Sequence, residues 1–171
     1  TNKSTTGVYL SLEGPNTCFP ISTISKKQSC VSYSTPEAEL VAGAFALRQV
    51  GCPAMTLWQC LAGSVYDTPA DNQQLTNAEQ LPYCLYFHGD NSAMVAICHS
   101  GKNPTMRHLS RTHGISLTMI HDEVMSKRTT LAYINTAQMK ADIFTKFYSE
   151  RKKETWHSVR RLINVLAPDE V

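Results

Sequence analysis

No C-x-x-C pair occurs anywhere in the 171 residues, and no apolar run approaches the ~20 residues that span a bilayer. The formal excess of positive charge is only +2. Each shortage excludes something. The six cysteines (Cys18, Cys30, Cys52, Cys60, Cys84, Cys98) form neither a redox pair nor a zinc ribbon, and a site drawn from Cys84, His88, Cys98 and His99 has no standard finger spacing. They read as reduced, mostly buried thiols of a non-secreted, intracellular protein. Without a long apolar run there is no membrane span to expect. A charge of +2 is too small to argue for nucleic acid by itself. The start, Thr1-Asn-Lys-Ser, has no initiator Met and no hydrophobic signal core, so it reads as processed or truncated. Internal repeats and low-complexity tracts are lacking too. What is present is a 42% hydrophobic fraction, enough for one domain, residues 1–171, with its own core.

The most informative stretch runs from Val31 to Arg48. It reads as a strand end, a turn and a helix. Thr35 suits the N-cap, Pro36 the first helical position, and Glu37 and Glu39 the positive end of the helix dipole. Leu40, Ala44 and Leu47 recur at helical spacing, and Ala42, Ala44 and Ala46 keep the helix slim enough to lie close on a sheet. This helix should end near Gly51, with Pro53 beyond it.

Around it, alternation predicts strands over Gly7–Leu12 and Cys18–Ile24, with Pro20 marking an irregular or edge start and Lys26-Lys27 a charged turn. A short helix over Ala54–Leu61 would pack Leu57, Trp58 and Leu61. Residues 62–80 are polar and punctuated, a surface loop insertion. Leu81–Phe87 is apolar throughout, as in a central strand covered on both faces. Helices are expected over Ser92–His99, Thr112–Met125, Ala137–Phe147 and Glu154–Val165, with a β-branched strand over Thr129–Ile134. The last helix should turn Trp156, Val159, Leu162 and Ile163 inward and Arg160 and Arg161 outward. The order implies an α/β, mixed-sheet architecture with helices on its faces.

Four blocks carry a resemblance. They are Lys3-Ser-Thr-Thr-Gly-Val-Tyr-Leu10, the ungapped run Ile21 to Leu40 ending Ser-Thr-Pro-Glu-Ala-Glu-Leu, Asp90-Asn-Ser-Ala-Met94, and Ala141-Asp-Ile-Phe-Thr-Lys146. In that order they resemble the ribonuclease H domain of copia-type retrotransposon polyproteins, over nearly the whole chain from Lys3 to about Leu166. The resemblance implies a ribonuclease H-like fold of five strands, the first three antiparallel. It also implies hydrolysis of the RNA strand of RNA/DNA hybrids by two divalent ions, Mg²⁺ or Mn²⁺, held by carboxylates. Residue by residue, Glu39 matches the helix glutamate, Asp90 the strand-end aspartate and Asp142 the late aspartate. These three are the candidate catalytic and metal-binding residues. Read without the resemblance, Asp90 is equally an N-cap and Asp142 a solvated helix charge.

In the family an Asp-Ala-Asp-Trp-type strand precedes the Lys-Ser-Thr block, whereas this chain begins two residues before Lys3. The expectation is therefore a missing central strand and a missing first aspartate. A gap should separate Gly7–Leu12 from Leu81–Phe87, with unpaired backbone on both. The strand is donated by a partner or precursor, has been trimmed away, or is a tolerated hole; donation is the preferred reading. Phosphate contacts to a hybrid are open to Lys26, Lys27, Lys102, Arg107, His108, Arg111 and His113, each equally an ordinary surface residue. Thr112-His113-Gly114-Ile115 departs from the family's Thr-basic-His-Ile and puts contact there in doubt. Two functions follow: a nuclease by descent, inactive as the isolated chain, or a domesticated, non-catalytic and metal-free subunit of a larger protein assembly.

Overall fold

The computed structural model describes residues 3–65, 83–126, 128–149 and 153–165. The chain is a mixed α/β protein with two small sheets and several helices. Strands β1 (Thr5–Gly14) and β2 (Thr17–Lys27) pair antiparallel. Their register slips after Leu10, which faces Ser22, to Ser11, which faces Pro20, leaving Ile21 as the extra residue. Pro20 cannot donate to a ladder, and the bulge sits beside it. Lys26 and Lys27 close β2 rather than forming a turn. Residues 28–34 contain no strand, so the expected strand end before the helix is corrected.

Helix α1 (Thr35–Ala46) is capped one residue before the predicted Thr35. Ser34, extended at φ −149°, accepts a hydrogen bond from the Glu37 amide, and Pro36 sits in the first turn. The helix does not stop at Gly51. It widens into a π-type turn over Leu47–Gly51 and continues as α2 (Cys52–Val65). A wide turn leaves donors out of the ordinary i→i−4 pattern, which is where Pro53, having none, is tolerated. The helix Thr35–Ala62 is long and apolar enough to cross a membrane by length and composition alone, which the run-length reading missed. Leu40, Ala44 and Leu47 instead enter the protein core. Leu57 and Leu61 stay exposed, while Trp58 meets Tyr83 edge-on at 6.3 Å. Residues 62–65 belong to α2, and the rest of the expected loop insertion lies outside the described residues.

Strand β3 (Leu85–Gly89) pairs parallel with β4 (Thr129–Tyr133). It is shorter than predicted and covered on one face only: Phe87 lies under α1, whereas Tyr86 is 67% exposed. The connection runs through α3 (Ser92–Ser100), a short α4 (Leu109–Thr112) and α5 (Leu117–Met125). The single helix expected from Thr112 to Met125 is broken at Gly114, whose φ of +64° is left-handed, and restarts where Ser116 caps the Met119 amide. The core lies between α1, α3 and α5, with Leu40, Leu47, Met94, Leu109, Ile120 and Leu131 buried.

Two 3₁₀ turns, Thr136–Gln138 and Lys140–Phe144, replace the helix expected over Ala137–Phe147. Helix α6 (Lys153–Leu162) follows. Arg160 is buried there, donating to His157 Nδ1 at 3.1 Å and to the Val165 carbonyl at 3.1 Å, while Trp156 is exposed, so the expected inward Trp156 and outward Arg160 are both corrected. The cysteines are free as expected. Only Cys98 is fully buried, where burial pushes its thiol up to about 11. Cys18 and Cys60 are exposed, which corrects the expectation of mostly buried thiols.

Helix α1 touches both sheets. It packs on β1, and Gly43 lies so close to β3 that a Cβ there would sit 2.9 Å from Phe87 Cζ. Yet among the described residues β1 pairs only with β2, and β3 only with β4. Among the described residues β1 and β3 thus each keep one edge without a strand partner.

Candidate carboxylate site

Three elements deliver the three predicted acids. Glu39 stands in the first turns of α1, Asp90 directly follows β3, and Asp142 lies in the 3₁₀ turn Lys140–Phe144. Asn91, not Asp90, caps α3, accepting from the Met94 amide at 2.9 Å, so the Asp90 carboxylate is free for other work. Its Oδ2 accepts from Thr136 Oγ1 at 3.0 Å, tying the end of β3 to the start of the turns after β4.

The turn bearing Asp142 is seated on β1. Tyr9 stacks on Phe144 at 6.3 Å, and Ser25 Oγ of β2 donates to the Phe144 carbonyl at 2.6 Å. Lys140 lies 5.6 Å over the Tyr9 ring and is ion-paired with Glu13. Lys146, one helical turn after Asp142, makes an ion pair with its carboxylate.

Two of the acids, Glu39 and Asp142, are raised. Burial raises the Glu39 carboxyl above its ordinary range, and the charges of Asp90 and Asp142 push it further up, against a smaller opposing pull from Lys146. Asp142 is raised by burial too, with Asp90 adding to it, while its contact with Lys146 pulls it down. The three carboxylates thus share one electrostatic neighbourhood. Among the described residues, however, no three His, Cys, Asp or Glu side chains stand close enough together to hold a metal ion. In this arrangement the counter-charge is the Lys146 ammonium, and the residues do not form a metal centre as they stand.

A raised carboxyl has a defined effect on stability. Its favourable contribution is complete below the ordinary carboxylate range and is lost as pH rises through the raised value. Glu39→Gln should therefore be more stable than the native chain at neutral pH. The difference should close as the solution is acidified below the ordinary carboxylate range. Urea midpoints at both ends of that window measure it, and a variant less stable at neutral pH would contradict the repulsive cluster.

The predicted phosphate contacts divide. Lys102, Arg107 and Arg111 are exposed, as a phosphate contact requires. His113 is not a surface residue: its side chain is 2% exposed, with Nε2 3.3 Å from Glu37 Oε1. His108 Nε2 meets the same oxygen at 3.2 Å, and the Tyr33 amide donates to Glu37 Oε2 at 3.1 Å. This buried cluster was invisible in the sequence, since His108 lies 71 positions from Glu37. Lys26 and Lys27 line a cavity together with His113 and Arg48, a cation with no predicted role. No protein-family model matches the chain, and neither a curated protein nor a solved structure matches it.

Proposed function

We propose that this chain is a ribonuclease H-like domain of copia-type descent whose hybrid-cleaving centre is incomplete in the isolated chain. The observation that carries the reading is that three separate elements bring Glu39, Asp90 and Asp142 into one neighbourhood, where the charges of Asp90 and Asp142 add to the burial that raises the Glu39 carboxyl. A structural role does not require acids to be gathered against their own repulsion, whereas hydrolysis of a phosphodiester by divalent ions does. Support for the second half of the reading is that β1 and β3 each keep one edge without a strand partner among the described residues: a strand from another polypeptide, or from sequence outside this chain, would pair there. A strand of the Asp-Ala-Asp-Trp type would bring a further carboxylate to the cluster. Mg²⁺ or Mn²⁺ binding is conditional on that addition, because the three acids and Lys146 alone offer no closed ligand set.

A second reading has its own support. The ion pair of Lys146 with Asp142 offsets one of the three acidic charges without metal, as suits a domesticated, non-catalytic subunit whose sheet is completed by a protein partner. One experiment separates the two. A labelled RNA/DNA hybrid is incubated with Mg²⁺ or Mn²⁺ and the chain, alone and with a synthetic Asp-Ala-Asp-Trp-type strand. The nuclease reading expects cleavage only with the strand, abolished by Asp90→Asn. Strand binding without cleavage at any metal concentration would leave the structural role.

A further inference from the structure

We draw no further inference here: the strongest candidate, the cavity of about 340 Å³ lined by Ser4, Thr5, Gln28, Ser32 and Thr35 beside Glu39 at the start of α1, carries nothing of its own, because Glu39 is part of its wall and it belongs to the carboxylate site already described.

Discussion

Truncating Glu37 to alanine should cost the fold about 3–5 kcal/mol, the usual penalty for removing one member of a buried polar pair. Glu37 is 1% exposed; it accepts from the Tyr33 amide at 3.1 Å, and the Nε2 atoms of His108 and His113 lie 3.2 and 3.3 Å from its Oε1. Its own amide is held by Ser34 Oγ, so backbone and side chain together fasten the entry to α1. Alanine would leave His113, already without a partner at Nδ1, stranded at both nitrogens. Glu37→Gln keeps an acceptor oxygen and should lose less, about 1–3 kcal/mol. Urea unfolding with an unchanged m-value is the measurement. A loss within the ~0.5 kcal/mol typical of surface substitutions would show that the cluster carries no weight.

Glu37 and Glu39 sit two positions apart and looked alike in sequence, both as first-turn acids facing the helix dipole. The structure gives them opposite energetics. Glu37 is satisfied by donors brought from residues 108 and 113, while Glu39 is raised by acids brought from residues 90 and 142. Local patterning was enough to find α1, β1, β2 and β4, because their periodicity and turn residues act within a few positions. It was not enough wherever a boundary depended on distant packing. The helix persisted past Gly51, which answers to distant packing instead: a Cβ there would come within 2.9 Å of Leu85 Cδ2. The helix expected over 137–147 gave way to two 3₁₀ turns, the second of which rests on β1. The Asp142–Lys146 pair was legible, being one helical turn apart, though no role was read into Lys146. The grouping of the three acids was reached through resemblance, since nothing local connects positions so far apart.

That grouping depends on how closely the Lys140–Phe144 turn rests on β1, and Gly7 is the contact that sets the distance. A Cβ at Gly7 would lie 2.5 Å from Thr145 Cγ2 and 2.6 Å from the Ala141 carbonyl oxygen. A side chain can rotate away, but a backbone carbonyl moves only if its whole turn lifts. Gly7→Ala should therefore cost about 1–3 kcal/mol, the range for overfilling a packed contact. It should also loosen the Tyr9–Phe144 stack and the Ser25–Phe144 hydrogen bond, which hold the same turn. The consequence reaches the site. As Asp142 draws away, Glu39 loses one of the two charges that raise it and should titrate closer to the ordinary carboxylate range. Side-chain carboxyl NMR titration of Glu39 in the two proteins reads that shift directly. Asp90→Asn serves as the companion variant, because it removes the other charge without touching the turn. If Gly7→Ala leaves both stability and the Glu39 titration unchanged, the turn does not rest on β1, and the placement of Asp142 beside the other two acids fails with it.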